Sequence, residues 1–432
     1  MRLAGWTWAL AMLLAAGLTA SATQAAEQDA GAAAAMRAQI GHLLQHADAL
    51  IARGDLVGAQ IDVEQQVDIA RQLAADAPSD AAAQRDLMSS LNKLAWLQAA
   101  QSDLPGAQLT YDEAIGVARR LAAADPRSAR AALDVAATLQ GRGDVLMSEN
   151  DLSGAANDYQ QALDFDRKAA VADPTSVDVE KDVALALQRV GDMLATRGDT
   201  AGALTDYRAS LELFTRLAAA DPGSAGAARD LAVTQGRIGD RLLAAGDAPG
   251  ARKAFEASVA ATRLAAAAAP TSAVAARDLV AQLTRLSFAL RTEGEIASAD
   301  AAAEEALAVS RRLAAANPGS ASAQSDLAFA LGRYGELRFM QGDDAGARDA
   351  YAEALQIERT LARARPEAIL LARSVGDDMA RLADLGGGGV SWAQVVAYTE
   401  SRQMRGLFQT EDEARLTLYR QKAVDSASAK SR

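Results

Sequence analysis

Apolar residues recur at spacings of four, three and four along much of this chain. Val183, Leu187, Val190 and Leu194 form one such series, and Leu279, Leu283, Leu286 and Leu290 form another. This is the one-sided stripe of a packed helix. Polar breaks separate the stripes, and prolines punctuate them at a fixed interval. Pro78, Pro126, Pro174, Pro222, Pro270, Pro318 and Pro366 stand 48 residues apart. The stretch from Ile238 to Pro270 shows the unit: helix, turn, helix, stop. A constant period in this range marks a stack of identical supersecondary units. The fold class expected is therefore all-α, a right-handed superhelical solenoid of antiparallel helix pairs with a helical C-terminal cap.

The turn chemistry agrees with the stripes. Ser224 opens a first helix, Asp247 is placed as the N-cap of the second, and Pro249 falls in that helix's first turn. Gly246 is placed just past the end of the first helix, where a positive φ is cheap only for glycine. Its equivalents are Gly198, Gly294 and Gly342, with Asn150 and Ser102 at the same place in two repeats. The closing proline ends the second helix because it has no N–H and restrains the residue before it. A small residue recurs near the start of every second helix, at Ala59, Ala107, Ala155, Ala203, Ala251, Ala299 and Ala347. The column Tyr111, Tyr159, Tyr207 and Tyr351 lies on the packed face of the same helices and is read as core.

The turn-centred half of each unit resembles the tetratricopeptide repeat. In the fourth repeat, Gly239, Gly246, Ala251, Phe255 and Ser258 fall at that family's spacings. In the third they are Gly191, Gly198, Ala203, Tyr207 and Ser210, and in the last full one Gly335, Gly342, Ala347, Tyr351 and Ala354. The departure is length, since the family's usual repeat has about 34 residues. The resemblance implies a scaffold that binds peptides or other proteins along the face lined by its first helices.

Domain boundaries follow. Residues 1–25 are expected to be a secretory signal, with an uncharged apolar run from Trp6 to Ala20 after Arg2 and small residues at the cleavage spacing. An uncleaved membrane anchor is the alternative. Residues 26–35 are expected to be a disordered leader, and 36–385 seven helix-pair repeats. Gly386 to Val390 form a glycine-rich linker, 391–424 a helical cap, and 425–432 a polar tail. The cap is read from two capping boxes, one opening at Ser391 with Gln394 and one at Thr410 with Glu413. A cap of this kind covers the last apolar face of a stacked array. With the signal removed, no stable membrane insertion is expected, and the exported protein is placed in the periplasm.

Composition narrows the chemistry. Half the residues are apolar and only 4% are aromatic. The net charge of −12 disfavours nucleic acid as a partner, since phosphate neutralisation needs clustered Lys and Arg. There is no cysteine, hence no disulfide and no thiolate metal site. His42 and His46 are the two histidines, spaced i, i+4, without the further ligands a metal needs. No nucleophile has a base beside it, and Gly386 to Gly389 is not followed by the Lys-Ser/Thr of a phosphate loop. No cofactor, no metal and no catalysis are expected.

Three columns of charge recur on the first helices. Asp86, Asp134, Asp182, Asp230, Asp278 and Asp326 form one; Lys93, Arg189, Arg237, Arg285, Arg333 and Arg381 form the second. These two share a face and are expected to pair between stacked repeats. The third is Asp144, Asp192, Asp240, Glu336 and Asp384, with Trp96 and Phe288 in its place in two repeats. The resemblance puts this third column on the binding face. It is the candidate groove for a partner protein or peptide with a basic, extended or helical segment; the alternative is that its carboxylates only cap and pair between repeats. The function expected is an exported interaction scaffold or adaptor. The alternative is a structural part of a multi-protein envelope assembly without an exchangeable ligand.

Overall fold

The computed structural model of the protein describes residues 31–269, 272–386 and 389–430. The expected signal segment, Pro270, Gly387 and Gly388 lie outside the described residues. Among the described residues every regular element is an α-helix, and the chain runs through seventeen of them, α1 to α17. Helix α1 covers 31–52. Residues 31–35, expected in a disordered leader, belong to it: Ala33, Ala34 and Ala35 are strong helix formers that simply extend its first turns.

A single repeat shows where the period comes from. Helix α5 (Ala129–Ser148) has 20 residues and α6 (Leu152–Ala172) has 21. Three residues, Glu149 to Asp151, join them, and four more, Asp173 to Ser176, lead to α7 (Val177–Thr196). The same pattern sets α2 (Leu56–Asp76), α3 (Ala81–Ala100), α4 (Leu104–Ala124), α8 (Thr200–Ala220), α9 (Ala225–Ala244) and α10 (Ala248–Ala268). It continues through α11 (Ala273–Thr292), α12 (Ile296–Ala316), α13 (Ala321–Met340), α14 (Asp344–Ala364) and α15 (Ile369–Asp384). The helices of 20 and 21 residues are about 30 Å long, and α15, with 16, about 24 Å.

Local chemistry ends the helices where the sequence indicates. The tight turn takes a positive φ at Gly54, Gly198, Gly246, Gly294 and Gly342, and also at Ser102 (68°) and Asn150 (63°). Except after Gly294, where Glu295 makes no side-chain cap bond, the next residue is an aspartate N-cap: Asp247 accepts from the Gly250 N–H at 2.9 Å, and Asp151 from Gly154 at 3.0 Å. At the far end the residue before the proline is the C-cap. Ala77, Asp125, Asp173, Asn317 and Arg365 have φ between −132° and −135° there. Proline restrains its predecessor to this extended region, so the second helix stops one residue short of it.

The described residues form two packed units, one ending at Ser210 and one beginning at Leu211, divided within α8. In the first unit, the stripes of α2 to α6 meet in a core with Val63, Leu73, Leu91, Leu97, Ile115 and Leu139 at its centre. In the second, Phe255, Val259, Leu283, Leu307 and Leu331 join α10 to α13. The seven alanines near the second-helix starts have no exposed surface at all, which is what lets the two helices of a pair close on each other. A ring from the second helix then lies over a glycine of the first. A Cβ on Gly191 would stand 2.6 Å from Tyr207 Cε1, and one on Gly239 would meet Phe255 at the same distance.

The second unit ends in α16 (Trp392–Met404) and α17 (Thr410–Lys430). The Ser391–Gln394 capping box forms as expected. The second box does not. Helix α17 begins at Thr410, and it is Asp412 that reaches back to the Gln409 N–H at 3.0 Å. The expected polar tail is helical as far as Lys430. Trp392 and Val395 pack with Val375, Met379 and Leu382 of α15, covering the last repeat.

Candidate functional site

The charge columns resolve into ladders between neighbouring repeats. Asp86 accepts from Arg37 at 3.2 Å, and Asp134 accepts from Arg85 at 2.9 Å. In the second unit Asp278 takes Arg229 and Asp326 takes Arg277, each at 2.6 Å. All four pairs join residues 49 apart. The second column reaches instead to the third. Arg189 pairs with Asp144 at 2.5 Å, and Arg285 with Asp240 at 3.3 Å. Lys93 pairs with Asp48 at 2.5 Å, which extends the acid column by one repeat. Both columns thus pair between repeats as expected, the first with arginines outside the three columns and the second with the acid column. Within each unit, neighbouring first helices meet at offsets of 49 and 45 residues, and these offsets choose the partners.

The acid column is also tied down from within its own repeat. Tyr159 Oη donates to Asp144 Oδ1 at 2.6 Å, and Tyr207 Oη donates to Asp192 Oδ1 at 2.6 Å. Burial and the hydrogen bond to Asp144 push the Tyr159 hydroxyl far above its usual pKa. Burial raises Asp240, and the Arg285 charge opposes that rise. Glu336 pairs with Arg333 one turn away at 3.0 Å. Asp384 accepts from Lys422 of the cap at 2.6 Å, and that ammonium also lies 4.5 Å from the Trp392 ring centre. His46 hydrogen-bonds Asp62 at 2.5 Å. Among the described residues no cluster of three or more metal-ligating side chains occurs.

Three of the seven candidate groove residues come together. Asp240 on α9, Phe288 on α11 and Glu336 on α13 line one depression of the second unit, a cavity of about 220 Å³. Trp96, Asp144 and Asp192 belong to the first unit and Asp384 ends α15, and none of the four lines this depression. Its floor is made by Phe255, Ala303, Ala306 and Ala330. Two rings stand open at its edge, Phe288 at 44% exposure and Phe329 at 55%. The Arg291 guanidinium lies 4.7 Å from the Phe288 ring centre and Arg333 lies 5.5 Å from that of Phe329. Cations over aromatic faces are attracted by the ring quadrupole. The rim is therefore mixed, with Asp240 and Glu336 each answered by an arginine. Arg291 and Phe329 escape a reading by charge columns. The available signal was that neither matches its counterparts in the other repeats: Leu243 and Phe339 occupy the place of Arg291, and Val233 and Ala281 that of Phe329.

No protein-family model matches the chain, and no curated protein matches it. Solved structures do. The apo form of RapI aligns over 90% of this chain and 97% of its own, at 11% identity and a TM-score of 0.50. The fold is tetratricopeptide-repeat-like. Two further structures are a tetratricopeptide repeat protein from Parabacteroides merdae and BtubC from P. vanneervenii. The first has 13% identity over 79% of this chain and 99% of that one, with a TM-score of 0.38. The second has 20% identity over 61% and 93%, with a TM-score of 0.48. In this chain the tetratricopeptide-like pair is lengthened to 48 residues, and its ring-over-glycine contact survives the lengthening. Among the described residues no helix is long and apolar enough to cross a membrane.

Proposed function

We propose that this protein is an exported scaffold or adaptor that holds a segment of another protein on the face of its first helices. Helix-pair arrays of this kind are in general protein-binding frameworks without catalysis of their own. The observation that carries the reading is the open aromatic depression between α9, α11 and α13, with Phe288 and Phe329 exposed on a rim of arginines. Large exposed rings beside Arg are the residue types on which binding energy concentrates. A basic segment laid along the acid column would have to displace Arg189, Arg285 and Lys422 from Asp144, Asp240 and Asp384. The main contact is therefore assigned to the aromatic depression, with the column as a flank.

The test is photo-crosslinking in the native envelope, with benzoylphenylalanine in place of Phe329. The control carries it at Val171, an exposed position on α6. The expected result is a discrete protein adduct from position 329 and none from 171. No adduct above the control overturns the scaffold reading. A processed N-terminus near residue 26, read by mass spectrometry of the purified protein, checks export; an intact N-terminus is the outcome of an uncleaved anchor.

A further inference from the structure

The depression lies where a repeat lacks its ring; the first repeat lacks one too, with Val63 at that position. The second helices carry a ring at the same register position in Tyr111, Tyr159, Tyr207, Phe255 and Tyr351. Between Phe255 and Tyr351 that position is Ala303. The facing position on the first helix changes with it. Gly143, Gly191, Gly239 and Gly335 leave room for the rings, and a Cβ on any of them would stand 2.6 to 2.8 Å from ring carbons. Opposite Ala303 the residue is Ser287, whose hydroxyl donates to the Ala299 carbonyl at 2.8 Å. A third change accompanies these two: the acid that accepts from the tyrosine hydroxyl in other repeats, Asp144 or Asp192, becomes Phe288. One repeat has thus lost ring, facing glycine and acid together, and the cavity of about 220 Å³ opens there.

A cavity of this size is not simply a packing defect. An apolar cavity of roughly 150 Å³ holds a benzene ring. This one is floored by Phe255, Ala303 and Ala306 and opens beside Phe288 and Phe329. We propose that it receives one aromatic side chain from the bound protein segment, which completes the ring column in place of the missing residue. The inference rests on the scaffold reading above and specifies what the partner must present. Arg291, stacked on Phe288, has no carboxylate within ion-pair distance among the described residues, so the rim keeps one spare positive charge. The side chain that enters is an aromatic flanked by neutral or acidic residues, since a basic flank would face that charge.

The probe is 5-fluoroindole, followed by its fluorine NMR signal in titrations of the whole protein. Wild type is expected to give a saturable shift. The double variant Ser287→Gly/Ala303→Tyr restores the ring and its facing glycine, and is expected to lose binding at least tenfold while keeping its helical circular dichroism. Ala303→Leu, which fills the space without needing Ser287 changed, serves if the double variant fails to fold. The same refilled variants, carrying the photo-crosslinker at 329, are expected to lose the partner adduct. Equal fluoroindole binding by wild type and refilled variants, or none by wild type, overturns the inference. An adduct that persists in the refilled variants overturns it too and leaves the scaffold reading standing. If fluoroindole binds but position 329 captures nothing, the scaffold reading fails and with it the assignment to a partner side chain. A mass that doubles with concentration only while the cavity is open assigns the occupant to a second copy of this chain and likewise overturns it.

Discussion

Asp166, in the middle of α6, is 1% exposed, and its Oδ2 accepts from Gln140 Nε2 at 3.2 Å. Burial, then the negative charge of Asp182, raises its pKa to about 7. The folded protein keeps a proton there that the unfolded chain, with a carboxyl near 3.9, gives up. Folding is therefore favoured most below about pH 4, and this contribution is lost as the pH climbs toward 7. The expected outcome is a wild-type melting temperature that falls across that interval. In Asp166→Asn the fall should be shallower, and the variant should melt above wild type at pH 7.5. Melting curves that shift in parallel for both proteins would show that another group titrates. Nothing in the local sequence announces this residue. Asp166 sits between Phe165 and Arg167 in a polar-looking stretch, and only the packing of α5 and α7 against α6 takes it out of water.

At the scale of the element, two effects of opposite sign meet at Gly191. Glycine in mid-helix costs about 1 kcal/mol relative to alanine. The added Cβ, however, would stand 2.6 Å from Tyr207 Cε1 in a fully buried contact. Overpacking of that kind costs about 1–3 kcal/mol and outweighs the gain in helix propensity. Gly191→Ala is expected to lower stability by up to about 2 kcal/mol, the difference between those two effects, in urea unfolding. At Gly223, an exposed position outside the helices, alanine meets only Asp221 Oδ1 at 3.8 Å and should change little. Equal losses at both positions would show that backbone conformation, not the ring, sets the requirement. The ring-over-glycine contact was legible as a spacing, because both residues recur in phase. Which ring meets which glycine, and that Ser287 and Ala303 leave a hole, needed the two helices placed side by side.

At the scale of the whole molecule, an array of repeats gains stability from each interface with its neighbour, and its ends are the vulnerable places. The C-terminal end is held by Asp412. Its carboxylate accepts from Arg402 at 2.9 Å and from the Gln409 N–H at 3.0 Å, and it lies 3.3 Å from Arg373 of α15. The Asp412 and Arg402 side chains are 1% and 3% exposed, so this is a buried ion pair rather than a surface one. Removing one partner of such a pair costs about 3–5 kcal/mol, because the other charge is left uncompensated. Asp412→Ala is expected to open α16 and α17 before the repeats unfold. Hydrogen exchange should then speed up across residues 392–430 while the amides of α10 to α13 keep their protection. Uniform acceleration over the second unit would instead mean that cap and repeats unfold together.

The period of 48, the positions of the helices and turns, the helical cap and the ring column could all be read from the sequence, because each is set by neighbours three, four or one repeat away along the chain. So could the recurrence of charge. The partners of those charges could not, since they follow from how far one helix slides along the next: offsets of 49 and 45 residues join columns that no local rule links. The acid column was visible as a line of carboxylates, and the tertiary structure decided that Tyr159, Arg189, Arg285 and Lys422 occupy them. Phe288, one of two interruptions of that line, marks the cavity, yet the cavity itself arises from Ala303 on a different helix. Spacing along a chain carries helices and their caps. Voids and ion pairs belong to surfaces in contact, and only the packed repeats bring those surfaces together.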